Sequence, residues 1–248
     1  MGTLDGRYAV VTGAGKGIGA AIVKRFLQEG IAGIAMFEWN EELCIKTANE
    51  LDPSGKILLP VKCDISNRAQ VREGVEKVIS HFSAIDILVN NAGITRDHMF
   101  HKLSDEDWDT VLNVNLNGCY NMCRAIVPLM RDRGYGRIVN ISSTSAWGNA
   151  GQANYAATKA AVNGLTATLG KELAAKGVIV NAVAPGFIDT DMYAAVPEEK
   201  REATLNSRIP MHRLGKPEEL AAVVNFLAGP DVSYMTGQCI VVSGGHRC

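Results

Sequence analysis

The chain has 248 residues, 47% of them hydrophobic and 21% charged, with 25 Lys and Arg against 26 Asp and Glu for a net charge of −1. Its length suits one large domain or two small ones, and its composition is that of an ordinary globular protein, which excludes a disordered chain, a collagen-like repeat and a coiled coil. A near-zero charge with no stretch where Lys and Arg concentrate offers no field for nucleic acid or an anionic membrane.

Taken in chain order, residues 8–11 form a short apolar run ending in a Gly-rich turn, the pattern of a buried parallel strand. From 18 to 28, Ile18, Ala21, Ile22 and Phe26 recur at helical spacing, and Gly30 stands where a helix end takes a left-handed residue. Residues 31–37 predict a second strand ending at Glu38, followed by a helix over 41–51. A strand at 57–61, a helix over about 69–82 and a strand at 85–89 come next. Ser104 with Asp107 reads as a capping box opening a long helix that carries Trp108, Val111, Leu112 and Leu116. A strand at 137–141, a helix over about 155–175 and a strand at 178–183 continue the alternation. The polar segment 187–212 breaks it and reads as a mobile lid over substrate. Pro217-Glu218-Glu219 then starts a helix with Pro and acids in its first turn, and 239–242 is a last strand. Such alternation implies one α/β domain, a parallel sheet covered on both faces.

No basic region followed by an apolar core marks a signal peptide, and the longest apolar runs fall far short of the ~18–20 residues that span a bilayer. Cysteines at 44, 63, 119, 123, 239 and 248 contain no CxxC pair, which argues against a zinc site and a disulfide framework. Cys119 and Cys123 stand one helical turn apart, but no histidine is spaced to complete a metal site; His98 and His101 read as surface residues. We expect no metal, no membrane and a reducing cytoplasm.

The first strand-to-helix turn reads Thr12-Gly13-Ala14-Gly15-Lys16-Gly17-Ile18-Gly19. Its glycines permit a tight turn and close backbone approach, while the helix N-terminus favours a pyrophosphate. Glu38 ends the next strand 19 residues past Gly19, where an acid accepts hydrogen bonds from both adenosine ribose hydroxyls. That carboxylate would repel the 2′-phosphate of NADP. Lys16 pulls the other way but can swing into solvent, so NAD is the expected cofactor. In Tyr155-Ala156-Ala157-Thr158-Lys159, the phenol and the ammonium share one helix face. A fixed cation there should lower the phenol from its ordinary pKa of ~10 and make it an acid–base catalyst.

TGAGKGIG at 12–19, Asn90-Asn91-Ala92-Gly93 after the fourth strand, YAATK at 155–159 and Pro185-Gly186 after the sixth strand follow the order of the short-chain dehydrogenase/reductase family. The likeness spans essentially the whole chain. ITRD at 94–97, GQANYAATKAA at 151–161 and APGFIDTDM at 184–192 look most like the 3-oxoacyl-(acyl-carrier-protein) reductases within it. The resemblance implies a doubly wound, Rossmann-type sheet of about seven parallel strands, carbonyl/alcohol interconversion with NAD(P), and a small-molecule or acyl-thioester substrate. It also implies a homotetramer built through long helices and the C-terminal strand region.

Residue by residue, Tyr155 resembles the proton donor. Lys159 resembles the residue that lowers its pKa and holds the nicotinamide ribose, and Asn115 the helix asparagine that links the lysine to a relay water. Gly13, Lys16, Gly17, Ile18 and Gly19 match the dinucleotide turn. Asn91, Ala92 and Gly93 fall beside the adenosine and Asp64 by the adenine. Pro185, Gly186, Ile188 and Thr190 fall on the nicotinamide side. Asn90 reads as a core residue satisfying buried backbone. The catalytic serine is ambiguous, because Ser143 stands one residue closer to Tyr155 than the family spacing, and counting back from the tyrosine would choose Ser142. A one-residue slip inside a strand turns every side chain over, whereas a shorter loop costs little, so Ser143 is preferred. Arg133 and Lys176 are candidate cations for an acyl carrier or coenzyme A. Glu38 leaves a second enzymatic reading, an NAD-dependent dehydrogenase of a hydroxysteroid, cyclic or other small secondary alcohol. A third, a non-catalytic dinucleotide sensor, has no use for the Tyr155/Lys159 pair.

Overall fold

The computed structural model describes residues 2–194 and 198–247. In the first half, β1 (Tyr8–Thr12), α1 (Gly17–Gln28), β2 (Gly33–Glu38), α2 (Glu41–Leu51), β3 (Leu58–Lys62), α3 (Arg68–Phe82) and β4 (Ile87–Asn90) alternate. They are followed by α4 (Asp105–Leu112), α5 (Gly118–Arg133), β5 (Gly136–Ile141), α6 (Ala153–Leu173) and β6 (Val178–Pro185). The chain ends with α7 (Asp191–Ala194), α8 (Glu198–Ser207), α9 (Pro217–Ala228) and β7 (Cys239–Val242).

All seven strands pair in parallel, in the order β3-β2-β1-β4-β5-β6-β7. This is the expected Rossmann-type sheet. The chain winds outward from β1 to β3, then returns to the other side of β1 to lay down β4. The loops leaving β1 and β4 therefore diverge, and the crevice between them is where such sheets bind ligands.

Successive strand residues point to opposite faces, so the sheet supports two cores. Val11, Val89 and Val139 join Ile22, Phe26, Leu220 and Val224 on the face covered by α1 and α9. Their neighbours Val10, Leu88 and Ile138 join Val75, Val78, Met122, Ile126 and Met130 on the face covered by α3 and α5. Burying Phe, Ile, Leu or Met side chains this fully contributes about 1.5–3 kcal/mol each.

Two segments depart from expectation. The helix opened by Ser104, whose hydroxyl accepts from Asp107 N at 3.1 Å, does not run straight into α5. A π turn, Asn113–Asn117, separates α4 from α5. The segment 187–212 is largely helical, as α7 and α8, with residues 195–197 outside the described ones. Among the described residues no helix is long and apolar enough to cross a membrane.

Candidate active site

The dinucleotide turn is held by backbone proximity that only glycine permits. Gly13 has φ +61°, and a Cβ there would stand 2.9 Å from Ala92 Cα; a Cβ on Gly19 would collide with the Gly13 carbonyl. Thr12 Oγ1 accepts from Asn91 N and Ala92 N, both at 3.0 Å. Asn91 Nδ2 donates to Thr12 O at 2.9 Å and Gly13 O at 3.1 Å, so its side chain is spent on locking β4 to the turn. Lys16 caps α1 without a side-chain bond, which leaves the first-turn N–H groups without a side-chain partner. Open donors at a helix N-terminus suit a pyrophosphate, so these residues fit a dinucleotide.

Glu38 is 7% exposed, and its two oxygens accept from Gly15 N at 3.2 Å and Asn40 N at 3.3 Å. The carboxylate is thus fixed at the crest of the turn. Lys16 is exposed, as a side chain free to swing into solvent would be, and its Nζ pairs with the equally exposed Asp191 Oδ2 at 3.0 Å. Thr190 also reaches the turn, its Cγ2 standing 3.6 Å from where a Gly17 Cβ would be. Ile188 is buried and bridges Gly215. Gly186 N donates to Val242 O at 2.9 Å, tying the end of β6 to β7. Asp64 Oδ1 accepts from Ser66 N at 2.9 Å and from its hydroxyl at 2.7 Å, in an exposed turn after β3.

Across the crevice, α6 brings Lys159 Nζ to 5.6 Å from the Tyr155 ring centre. Lys159 is buried and donates to Ile141 O at 2.6 Å, at the end of β5. The Ser143 hydroxyl lies near enough to the Tyr155 phenol to favour its charged form. Its oxygen also accepts from Ser145 N at 3.1 Å. Ser142 points elsewhere, donating to Lys159 O at 3.3 Å. Of the two serines, the structure joins Ser143 to the tyrosine.

Burial pushes the phenol up to about 12, the Asp97 carboxylate adds to the rise, and the Ser143 hydroxyl opposes it. The net lowering expected beside Lys159 does not appear, because desolvation of the phenol is the largest effect on it. The ammonium is itself desolvated, which drops its pKa to about 8, and its short hydrogen bond goes to a backbone carbonyl.

Asn115 sits in the π turn, a widened turn of the kind that often marks functional sites. Its Oδ1 accepts from Ile94 N at 2.8 Å, and its Nδ2 donates to Ile94 O at 2.9 Å and to Thr158 Oγ1 at 3.4 Å. A cavity of about 10 Å³, bounded by Thr12, Asn90, Asn115, Cys119 and Lys159, lies between these groups. That is about the space for one water. Gly93 keeps the approach open, since a Cβ there would stand 3.3 Å from Asn115 Oδ1 and 3.6 Å from Lys159 Nζ.

Asn90 is a core residue, donating to Asn140 Oδ1 at 2.8 Å. Arg133 is not a free cation: it pairs with the buried Asp86 carboxylate at 3.0 Å. His98 lies 3.7 Å from Asp107, half exposed, and His101 is exposed. Among the described residues no group of three His, Cys, Asp or Glu side chains could hold a metal.

Sequence reasoning missed Asp97 and Gln152. Gln152 accepts from Ser145 Oγ and Asn149 Nδ2, both at 2.8 Å, and donates to Asp97 Oδ2 at 2.7 Å. It thereby ties the loop after β4 to the loop carrying Ser143. Asp97 lies in ITRD and Gln152 in GQANYAATKAA, so both stood inside segments already singled out, but spacing alone says nothing of their partnership.

A family model described as enoyl-(acyl carrier protein) reductase matches residues 13–247. The chain is 48% identical over 245 residues to the 3-oxoacyl-(acyl-carrier-protein) reductase FabG of Thermotoga maritima, covering 98% of each. It is 46% identical over 242 residues to the acetoacetyl-CoA reductase of Rhizobium meliloti, covering 97% of this chain and 98% of the other. The FabG of Vibrio cholerae is 40% identical over 245 residues, again 98% of each.

Proposed function

The chain belongs to the short-chain dehydrogenase/reductase family, and on that premise we propose that it is an NADH-preferring reductase of 3-oxoacyl thioesters, yielding the secondary alcohol. The observation that carries this reading is the juxtaposition of Ser143, Tyr155 and Lys159 beside the dinucleotide turn. A bound nicotinamide dinucleotide supplies the hydride. The turn Gly13, Lys16, Gly17, Ile18 and Gly19 holds its pyrophosphate and Glu38 its adenosine ribose. Asp64, Asn91 and Ala92 line the adenosine side; Gly93, expected there too, stands instead against Asn115 and Lys159, and Pro185, Gly186, Ile188 and Thr190 line the nicotinamide side.

Tyr155, pushed up to about 12, stays protonated at neutral pH, which is the state a proton donor needs. Its hydroxyl gives that proton to the substrate oxygen while the Ser143 hydroxyl holds the same oxygen by a hydrogen bond. The buried Lys159 charge stabilises the phenolate left behind. The cavity bounded by Asn115 and Lys159 has room for a water that returns a proton.

Glu38 carries the choice of NAD over NADP: its carboxylate is immobilised by two backbone donors and cannot turn away from a 2′-phosphate. The relatives' names supply the thioester, as 3-oxoacyl-carrier or acetoacetyl-CoA substrates. Steady-state reduction of acetoacetyl-CoA with NADH and with NADPH tests both parts. Turnover with higher kcat/KM for NADH is expected; equal or better use of NADPH removes the role given to Glu38. Dinucleotide binding without turnover on thioesters, ketones or alcohols would instead make the protein a sensor.

We further infer a cytoplasmic homotetramer. The edge strand β7 is only half-buried along its length, and Phe226 and Tyr234, in α9 and the loop before β7, are exposed. Sedimentation at micromolar concentration should give a particle of four chains.

A further inference from the structure

The loop between Ser143 and Tyr155, one residue shorter than the family spacing, carries a run of hydrogen bonds that the proton transfer does not use. After Ser143 the chain makes one tight turn over Thr144–Trp147. Ala146 N donates to Ser143 O at 3.0 Å and Gly148 N to Ser145 O at 2.9 Å, closing it. Gly148 then leaves the turn at φ +108°, a conformation glycine adopts without strain. Doubling back in this way brings Ser145 to Gln152, just before α6. Ser145 Oγ and Asn149 Nδ2 both donate to Gln152 Oε1 at 2.8 Å, and Gln152 Nε2 donates to Asp97 Oδ2 at 2.7 Å. A parallel bridge between His98 and Gln152 holds the same seam, and Asn154 Nδ2 donates across it to Arg96 O at 3.0 Å.

The direction of these bonds is set from one end. An ionised carboxylate only accepts, so Asp97 obliges the Gln152 amide to face it with the NH2 group and to turn its oxygen to the serine loop. That oxygen obliges both Ser145 and Asn149 to donate. A reversed amide would set its NH2 group against that of Asn149 and release the Ser145 proton. As it stands, the Ser145 hydroxyl proton is committed to Gln152, and the Ser145 backbone N–H meets Ser143 Oγ at 3.1 Å. Ser143 thus receives a hydrogen bond from within its own loop and keeps its proton for the crevice. A substrate oxygen that gains charge during reduction needs the serine in that state, as a donor.

We propose that Ser145 and Gln152, oriented by Asp97, are positioning residues that hold Ser143 as the hydrogen-bond donor to the substrate carbonyl oxygen. This rests on the role given to Ser143 above. Ser145 and Gln152 act through that serine, so losing them weakens an interaction that matters most in the transition state. Their loss lowers kcat and leaves ground-state binding alone. Small displacements suffice, since a misplacement of about 1 Å can cost about 10² in rate.

The test follows steady-state reduction of acetoacetyl-CoA and dinucleotide binding by fluorescence titration in four variants. These are Ser145→Ala, Gln152→Glu, the double variant Asp97→Asn/Gln152→Glu, and Ser143→Ala as the reference. Ser145→Ala should lower kcat about tenfold, with KM and the dinucleotide dissociation constant within about twofold of the parent. Gln152→Glu sets two carboxylates against each other and should lower kcat at least as far. In the double variant amide and carboxylate trade places. The new amide donates, and the new carboxylate accepts from it and from Ser145 and Asn149, so kcat should recover to within about threefold of the parent. Ser145→Ala at the parent's kcat, or a double variant no faster than Gln152→Glu, overturns the proposal. Losses in KM and dinucleotide binding as large as those in kcat mark a collapsed loop and overturn it too. Ser143→Ala at the parent's kcat refutes the role given to Ser143, and the positioning with it; a costly Ser143→Ala beside a harmless Ser145→Ala removes the positioning alone.

Discussion

The two walls of the crevice are held by different physics. On the β1–β4 wall, Thr12, Asn91 and Glu38 each meet backbone groups at 2.9–3.4 Å, and Gly13 and Gly19 allow contacts that any Cβ would block. That wall is shaped by close approach. On the β5–β6 wall, Tyr155 and Lys159 are buried together, and desolvation drives the phenol up and the ammonium down. The first wall binds by geometry; the second works by stored electrostatic tension, which a bound ligand can release. Changes on the second wall should therefore act on rate, and changes on the first on affinity and selectivity.

The largest break in that contrast is Tyr155→Phe. It deletes one hydroxyl from the reactive wall and leaves the turn intact. We expect kcat to fall by about 10³–10⁴, the upper range for a positioned acid, while the dinucleotide dissociation constant changes by less than about twofold. Fluorescence titration beside steady-state assays measures both. Residual activity within tenfold of the parent would show that the proton comes from elsewhere.

Next in size, the paired variants Ser143→Ala and Ser142→Ala sharpen the contrast within one dipeptide. Of the two, only Ser143 acts on the phenol, so its loss should cost about 10²–10³ in kcat, as removal of a stabilising donor does. Ser142 donates to the Lys159 carbonyl inside the fold, so its loss should take less than tenfold from kcat and about 1 kcal/mol from stability. The reverse ranking would shift the catalytic serine to Ser142.

A pH series separates field from shape by sign. Lys159 has a folded pKa of about 8, below the ordinary value for lysine. As pH rises through about 8 it loses the charge that supports the phenolate, so the reduction rate should fall, by up to about tenfold per unit. The Lys159 contribution to stability should move the other way, opposed over the same range by the buried Cys44 and Cys63 thiols, which burial pushes up to about 11 and about 12. Between about 8 and ~10.4 the unfolded chain binds the proton that folded Lys159 has released, so this residue makes unfolding harder as pH rises. Tyr155 reverses the trend only higher, between its unfolded value of ~10 and its folded value of about 12, where the folded state keeps a proton the unfolded state loses. A Lys159→Met variant that keeps the parent's fall in rate above pH 8 would show that this lysine does not set it.

The same contrast explains what the sequence revealed. The glycines of the turn, Glu38 at the end of β2 and the Tyr155/Lys159 spacing are local patterns whose backbone consequences are nearly forced, and a parallel sheet follows from the strand–helix alternation, whereas seven strands were expected from the family resemblance and their order is seen only in the structure. Field effects were illegible. The rise at Tyr155 depends on burial and on Asp97, 58 residues earlier in the chain, and on a Lys159 bond to Ile141 that no spacing encodes. The π turn reads as ordinary helix because Val114, Leu116 and their neighbours keep plausible periodicity. The segment 187–212 reads as irregular because α8, Glu198–Ser207, is mostly polar and has almost no apolar stripe. Its role as a lid remains a proposal, supported by the Lys16–Asp191 pair that ties α7 to the turn.

The smallest expected effect probes the shaped wall alone. Glu38→Gln keeps the side chain's length and removes its charge. Glutamine has one acceptor oxygen, so it can satisfy either Gly15 N or Asn40 N but not both, and one backbone donor loses its partner. That should lower stability by about 1 kcal/mol, or about 2–4 °C in melting temperature for a chain of this size. The selectivity effect has a separate origin. Like charges forced together at a binding surface cost several kcal/mol, and the variant relieves that repulsion against a 2′-phosphate while retaining a polar group for ribose hydroxyls. The ratio of kcat/KM for NADPH over NADH should therefore rise about tenfold, with the change in KM and with kcat for NADH nearly unaltered. Because Tyr155 and Lys159 lie on the other wall, the pH dependence of the rate should stay where it was. A shifted pH profile in Glu38→Gln would mean that the two walls are electrostatically coupled and that shape and field are not divided between them.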